Sequence, residues 1–158
     1  MTQTESFHAG YVALIGLPNV GKSTFLNAVL DFKLSIVSRK PQTTRKKVLG
    51  ILNDEKHQII FLDTPGILLP DYELQSIMRE YIDEAIDDAD IICMMIDISS
   101  DLQNFQSLSG ELLTGNKPVI LVLNKIDLVN QSYLVKIRSN YQNLFNASEC
   151  FSISAKTK

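Results

Sequence analysis

The stretch that decides the fold is Gly16-Leu-Pro-Asn-Val-Gly-Lys-Ser23. An apolar run, Tyr11-Val-Ala-Leu-Ile15, precedes it, and a helical pattern, Thr24-Phe-Leu-Asn-Ala-Val-Leu30, follows it. A strand, a glycine-rich turn and a helix N-terminus, in this order, are the context in which a G-x-x-x-x-G-K-[ST] match is a phosphate-binding loop. The backbone N–H groups of such a loop surround an anion, and the helix dipole adds partial positive charge. We therefore predict a phosphate-binding loop rather than a turn that only joins two elements.

Each kind of residue in this loop has a predicted role. The two glycines allow the backbone to wrap where a Cβ would clash. Lys22 reaches the β- and γ-phosphates, and the Ser23 hydroxyl ligates Mg²⁺. The residues predicted to contact the nucleotide here are Gly16, Pro18, Asn19, Val20, Gly21, Lys22, Ser23 and Thr24.

The composition is typical of one soluble globular domain. The 158 residues are 45% hydrophobic and 21% charged, enough for one core. The net charge of −3 argues against non-specific nucleic-acid binding by the segment as a whole. No apolar run is long enough to predict a transmembrane segment. The two cysteines lack metal-ligand spacing, and the N-terminus lacks a signal-peptide pattern, so we expect free thiols and a cytoplasmic location.

Apolar strand patterns alternate with helical patterns along the chain. Residues 1–9 are predicted to be a flexible tail, and residues 10–158 one P-loop domain. The alternation predicts an α/β fold with a doubly wound, mostly parallel sheet of about six strands and one antiparallel edge pair. The predicted strands are 11–15, 48–52, 58–62, 91–96, 118–123 and 150–153, and the predicted helices are 22–30, 72–89, 105–113 and 132–144.

Polar clusters follow several of these strands, at the edge where doubly wound sheets bind ligands. The first is Asp63-Thr-Pro-Gly66. A carboxylate at the end of a buried strand holds Mg²⁺, usually through water, and Gly66 lets a backbone N–H approach the γ-phosphate. Alone this pattern is weak, but after a phosphate-binding loop it predicts a magnesium and γ-phosphate site.

The second cluster, Asn124-Lys-Ile-Asp127, predicts guanine recognition. Asp127 accepts two hydrogen bonds from the N1–H and the amino group of guanine, whereas adenine would leave this carboxylate unpaired. Asn124 is predicted to tie this loop to the phosphate-binding loop, and the Lys125 stem to cover the ring. This preference disfavours an ATP-using kinase or ATPase, which competition of ADP against GDP would test.

Two further segments complete the predicted site. In Ser154-Ala-Lys156, the Ala155 backbone N–H is predicted to donate to guanine O6. Residues 31–47 have no clean periodicity, which is typical of a functional loop. A hydroxyl in this loop completes the Mg²⁺ shell and senses the γ-phosphate, so that the loop orders with GTP and loosens with GDP. Thr43 and Thr44 are both candidates, and we favour Thr44.

These motifs, together with Ser38-Arg-Lys-Pro-Gln-Thr-Thr-Arg45 and a hairpin leading into D-T-P-G, resemble the Era family of bacterial GTPases over essentially the whole chain. The resemblance implies a Ras-like P-loop fold, GTP or GDP with Mg²⁺, and slow GTP hydrolysis. It implies the small ribosomal subunit and 16S rRNA as partners in ribosome assembly, and peripheral membrane association. Related Der or MnmE GTPase domains are the nearest alternatives.

The family pattern continues beyond the residues present here. Era proteins have one more helix in the GTPase domain and then a KH domain, which carries most of the RNA binding. The sequence stops just after Ser154-Ala-Lys156, so we expect a domain truncated at its C-terminus. We expect a missing final helix to leave one sheet face partly bare and to cause lower stability or self-association.

One departure from the Ras pattern bears on catalysis. Ile67 follows Gly66, where Ras-like proteins have a glutamine that orients the attacking water. Asn19 matches a residue that helps to bind K⁺ in several related GTPases, so we predict slow hydrolysis assisted by K⁺ or by a partner. The predicted catalytic residues are Lys22, Thr44, Gly66 and Asn19, and the metal ligands are Ser23, Thr44 and Asp63. The alternative is a nucleotide-dependent docking module with negligible hydrolysis.

Overall fold

A computed structural model describes residues 6–34, 48–67, 73–100 and 116–157. Within these ranges the chain alternates strands and helices, as predicted. The strands are β1 (His8–Ile15), β2 (Val48–Asn53), β3 (His57–Asp63), β4 (Ile91–Asp97), β5 (Val119–Asn124) and β6 (Glu149–Ser152), and the helices are α1 (Lys22–Leu30), α2 (Glu73–Asp88) and α3 (Gln131–Leu144), with a 3₁₀ turn at Ile126–Leu128. The predicted helix 105–113 and the loop beyond residue 34, including Thr43 and Thr44, lie outside the described residues.

The strands form one sheet in the order β2-β3-β1-β4-β5-β6. Only β2 and β3 pair antiparallel, and the other neighbouring strands are parallel. The predicted fold is confirmed, including its antiparallel edge pair. Because β1 and β3 to β6 run in the same direction, their carboxyl ends meet at one edge, and the strand order reverses between β1 and β4. Ligands bind at this switch point in doubly wound sheets.

Described helices pack on both faces of the sheet. Side chains of β1, β4 and β5 on one face pack with α2 and α3, and those on the other face pack with α1. Residues 92–96 of β4 are all buried, because a central parallel strand is covered on both faces. Asn130 caps α3 by accepting a hydrogen bond from the Tyr133 N–H, which starts that helix after the 3₁₀ turn.

Strand β1 includes His8 and Ala9, two residues of the tail predicted over residues 1–9, and so begins earlier than the predicted strand 11–15. The strand begins at His8, where the His8 N–H donates to Lys56 O at 2.8 Å. His8 also pairs in register with His57, and the two rings stack with centroids 6.0 Å apart. Backbone pairing with β3 therefore extends the strand into a stretch whose polar composition gave no strand signal.

One apolar side chain bears on the expectation of a partly bare sheet face. Phe151 of β6 pairs in register with Val122, a member of the apolar cluster on the α1 side. Val122 is buried, whereas Phe151 at the sheet edge is 52% exposed. Lower stability and self-association remain predictions. None of the helices in the described ranges is both long and apolar enough to cross a membrane.

Candidate nucleotide-binding site

The backbone of the phosphate-binding loop depends on a left-handed residue at the start of α1. Gly21 is the N-cap of this helix and has φ +107°. A Cβ at this position would lie 2.2 Å from Nδ2 of Asn124, far inside the contact distance. Glycine is therefore required here for two reasons: the backbone angle, and the close approach of the Asn124 side chain.

Lys22 lies in this loop as a buried cation. Its Nζ donates hydrogen bonds to the carbonyl oxygens of Gly16, at 3.0 Å, and Leu17, at 3.1 Å. Burial lowers the pKa of Lys22 to about 8, and the nearby carboxylate of Asp63 partly opposes this shift. A buried ammonium with few compensating charges is stabilised by an anion, so this position suits a phosphate group.

The two described residues predicted as magnesium ligands lie together. The Ser23 hydroxyl at the start of α1 donates to Oδ2 of Asp63, at the end of β3, at 3.0 Å. The Asp63 side chain is fully buried next to Lys22. A hydroxyl and a carboxylate are hard oxygen donors of the kind that Mg²⁺ prefers, so this pair fits the ion.

The segment after β3 is fastened against the phosphate-binding loop. The Ile67 N–H donates to Gly16 O at 3.1 Å, and the Thr64 hydroxyl donates to Leu14 O at 2.7 Å. A Cβ on Gly66 would lie 2.7 Å from the Pro18 backbone. The Gly66 backbone therefore touches the loop, and its approach to a γ-phosphate stays a prediction. The Ile67 side chain is 1% exposed and packs in the core, so it does not orient a water molecule.

Asn124 joins three loops at the edge of the sheet. Its buried side chain donates from Nδ2 to Val20 O at 2.8 Å and accepts at Oδ1 from the Ala155 N–H at 2.9 Å. The predicted tie between this loop and the phosphate-binding loop is confirmed. The Ala155 N–H, predicted to donate to guanine O6, is directed to Asn124 in this structure, and its contact with guanine stays a prediction.

Three of the predicted base-site residues, Asp127, Ser154 and Ala155, line an open cavity of about 640 Å³. Asp127 is exposed, and Ser154 donates its hydroxyl hydrogen to Asp127 Oδ1 at 2.7 Å. This contact orients the carboxylate and leaves its second oxygen available to a ligand. Asp127 and Ala155 line the cavity together with Phe25 of α1. A planar base therefore has both a polar edge to contact and an apolar wall to pack against.

The other predicted site residues occupy different positions around the loop. Asn19 is exposed and has φ +62°, an uncommon backbone angle for a residue with a Cβ. Val20 is buried in the core, so it contributes its backbone rather than its side chain. Thr24 is partly exposed in the first turn of α1, and Lys156 is exposed next to Ala155.

The prediction omitted Asp97, the last residue of β4. Its Oδ2 accepts a hydrogen bond from Lys125 Nζ at 2.6 Å, which brings it to the base-site loop. The signal that identified the other clusters was also present here, because Asp97 directly follows the apolar run of residues 91–96. Asp97 was overlooked because it belongs to none of the recognised sequence motifs.

Comparison with known proteins identifies the family. A model described as "50S ribosome-binding GTPase" matches residues 11–125, most of the chain and most of the site described above. The chain belongs to this GTPase family. The match ends just after Asn124, so the phosphate-binding loop, the Asp63–Gly66 segment and the start of the base loop all fall inside it.

Individual relatives confirm the resemblance to Era GTPases. GTPase Era of Lactobacillus delbrueckii subsp. bulgaricus is 39% identical over 99% of this chain and 52% of its own length. A crystal structure of Era with MgGDPNP and nucleotides 1506–1542 of 16S ribosomal RNA superposes with a TM-score of 0.89 at 38% identity, covering 96% of this chain and 52% of that one. A crystal structure of an Aquifex aeolicus Era variant bound to GDP·AlF4⁻ superposes with a TM-score of 0.87 at 39% identity, covering 94% of this chain and 52% of that one. This GTPase chain spans about half the length of the relatives it matches.

Proposed function

We propose that this chain is the nucleotide-binding domain of an Era-type GTPase, which binds GTP or GDP with Mg²⁺ and hydrolyses GTP slowly. The observation that carries the proposal is the Asn124 side chain, which links the Val20 carbonyl of the phosphate-binding loop to Ala155 of the base loop. One residue thereby connects the phosphate half of the site to its base half. A nucleotide is the class of ligand that has both halves.

The residues divide the work of hydrolysis by position. Lys22 neutralises charge on the β- and γ-phosphates, and the Gly66 N–H donates to the γ-phosphate. Ser23 and Asp63 would hold Mg²⁺, with Thr44 as the proposed third ligand, and the ion supplies further charge neutralisation when bound. A water oxygen bonds to the γ-phosphorus as the bond to the β,γ-bridging oxygen breaks, which yields GDP and inorganic phosphate.

Selection of guanine rests on Asp127. The Ser154 hydroxyl occupies one lone pair of Oδ1, so the rest of the carboxylate accepts from guanine N1–H and the amino group. The test is displacement of a fluorescent GDP by unlabelled GDP or ADP, with wild type and Asp127→Ala compared. We expect wild type to favour GDP over ADP by at least about 10³-fold, because the Asp127 carboxylate accepts from two donors on guanine, whereas adenine presents neither donor to it. Equal displacement by ADP would refute guanine selection.

Slow turnover follows from the buried Ile67 side chain. No side chain at this position orients the attacking water. We propose that K⁺ bound near Asn19 assists hydrolysis instead, by neutralising negative charge on the phosphates. Single-turnover GTP hydrolysis in KCl and in NaCl at equal ionic strength tests this, with Asn19→Ala as the variant. We expect faster hydrolysis in K⁺ for wild type and no ion preference for Asn19→Ala. Hydrolysis that is slow and indifferent to the ion in both proteins would instead favour a docking module.

The cellular role is proposed from the relatives. An Era structure contains a fragment of 16S ribosomal RNA, which supports a role for this GTPase domain in small-subunit assembly. We propose a cytoplasmic switch in which nucleotide state controls engagement of the ribosomal subunit. Co-sedimentation of the full-length protein with small subunits, compared between GDP and a non-hydrolysable GTP analogue, tests this role. Equal sedimentation in both states would contradict a switch.

A further inference from the structure

We infer that Asp97 is a positioning residue for Lys125, which it holds ready to cover the guanine ring. The inference rests on the proposed guanine site and extends it to a residue outside the recognised motifs. Asp97 ends β4 and pairs in register with Asn124, the last residue of β5. It therefore stands beside the base loop without belonging to it.

The carboxylate of Asp97 is fixed by donors on two sides. Oδ2 accepts from Lys125 Nζ at 2.6 Å, and Oδ1 accepts from the Ser99 N–H at 3.0 Å and the Ser99 hydroxyl at 2.5 Å. The side chains of Asp97 and Lys125 are 13% and 30% exposed. Partial burial reduces solvent screening, so this pair is stronger than a typical surface ion pair.

The backbone around Asp97 is connected to the base loop as well. The Ile98 N–H donates to Asn124 O at 3.1 Å, and the Ser100 N–H closes a turn onto Asp97 O at 3.0 Å. Burial raises the pKa of Asp97, but the hydrogen bonds from Lys125 and Ser99 outweigh it and hold this pKa below its ordinary value. Asp97 is therefore ionised at neutral pH, as an anchor for an ammonium must be.

Lys125 needs such an anchor because its side chain is long and flexible. Its backbone is left-handed, with φ +66°, which sets the direction in which the stem leaves the loop. A lysine stem that is free in solution loses rotamer entropy when it lies on a ring. Because Asp97 already restrains the ammonium group, much of that entropy is lost before the nucleotide arrives, and binding is correspondingly tighter.

Asp97→Asn isolates the ion pair. An asparagine oxygen still accepts from Ser99, while the charge facing Lys125 disappears. We expect the affinity for GDP to fall by about five- to tenfold, the range of a partly buried charge-assisted hydrogen bond. The affinity for IDP, which lacks the exocyclic amino group, should fall by the same factor, since Lys125 contacts the ring plane and Asp127 is left in place.

A double-mutant cycle with Lys125→Met separates positioning from general damage. Lys125→Met keeps an unbranched apolar stem but has no charge. In that background Asp97→Asn should cause no further loss of affinity for GDP. Asp54→Asn is the matched control. Like Asp97, Asp54 accepts hydrogen bonds from residues of its own turn, here from two backbone N–H groups at 2.7 Å each, but it lies at the amino-terminal end of the sheet. It should change GDP affinity by less than about twofold.

The results either support or overturn the inference. An equal loss of GDP affinity in wild-type and Lys125→Met backgrounds, or a collapse of the GDP-to-IDP ratio, means that Asp97 acts on the loop as a whole. If Asp97→Asn does not fold, Ser99→Ala replaces it in the test. We then expect Ser99→Ala to lower the affinity for GDP about twofold in the wild-type background and not at all in the Lys125→Met background. Wild-type protein that does not prefer GDP over ADP refutes the proposed guanine site itself, which is a different outcome from an unchanged Asp97→Asn.

Discussion

Replacing Asn124 by alanine tests the central connection of the site. The substitution removes the donor to Val20 O and the acceptor for the Ala155 N–H in one step. Val20 is buried, so its carbonyl loses its partner without access to water, whereas Ala155 is partly exposed and regains some hydration. At about 1–3 kcal/mol for each buried group left unsatisfied, we expect the free energy of unfolding to fall by about 2–4 kcal/mol.

The same geometry predicts that the stability losses of Gly21→Ala and Asn124→Ala are not additive. Gly21→Ala forces its Cβ to within 2.2 Å of Asn124 Nδ2 and strains a backbone at φ +107°. In the Asn124→Ala background the clash disappears and only the strain remains, about 1–3 kcal/mol. The double variant should therefore be more stable, by about 2 kcal/mol, than the sum of the single losses predicts.

Urea unfolding followed by circular dichroism measures both effects, first on nucleotide-free protein and then with saturating GDP. Asn130→Ala is the matched control, because it removes an exposed asparagine cap of α3 and should cost about 1 kcal/mol without weakening GDP binding. If Asn124→Ala lowers the free energy of unfolding no more than Asn130→Ala does, the Asn124 hydrogen bonds are not the central connection of the site. Strict additivity of Gly21→Ala and Asn124→Ala would refute the contact between the two loops.

Three further predictions concern Lys22, Lys117 and Gly66. Because burial lowers the pKa of Lys22 to about 8, the free protein loses this proton as the pH rises through that value, and a bound phosphate restores it. Calorimetry in buffers of different ionisation enthalpy should therefore show proton uptake on GDP binding above about pH 8, absent in Lys22→Arg. Lys117 Nζ donates to three carbonyls at the C-terminal end of α2, at 2.5–2.7 Å. Lys117→Met should lower the free energy of unfolding by about 1–3 kcal/mol, measured in urea, with GDP affinity unchanged. Gly66→Ala places a Cβ 2.7 Å from the Pro18 backbone, so the affinity for a GTP analogue should fall at least about tenfold more than that for GDP in competition titrations.

Most of the fold was predictable because its strands are continuous apolar runs. A continuous apolar run such as residues 91–96 is typical of a parallel strand that is covered on both faces, and this run forms β4. The start of β1 was not predictable, since it depends on pairing of His8 with His57, nearly fifty residues away. The 3₁₀ turn Ile126–Leu128 was also missed, because three residues are too few to show a periodicity.

The candidate site was predictable where a motif combines unusual residue types at a set spacing. Lys22 begins the helix after the phosphate-binding loop, and Asp63 and Asn124 each end a strand. All three carry groups that a fold seldom needs for packing alone. The hydrogen-bond partners of the site residues were harder to predict from the sequence. That Ala155 donates to Asn124 rather than into the base site, and that Asp97 holds Lys125, depends on side-chain positions contributed by different strands.

By itself the sequence determined the chemistry of this protein: a lysine and a hydroxyl at a helix start, a carboxylate after a strand, and an aspartate suited to guanine. These are local properties, encoded in adjacent residues and their spacing. Only the tertiary structure decided how the pieces connect. Strands β4 and β5 lie side by side, so Asp97 meets Lys125, and the end of β5 reaches the phosphate-binding loop, so Asn124 fills the space that Gly21 leaves open. Contacts between residues distant in the chain depend on sheet order and register, which no single stretch of sequence contains.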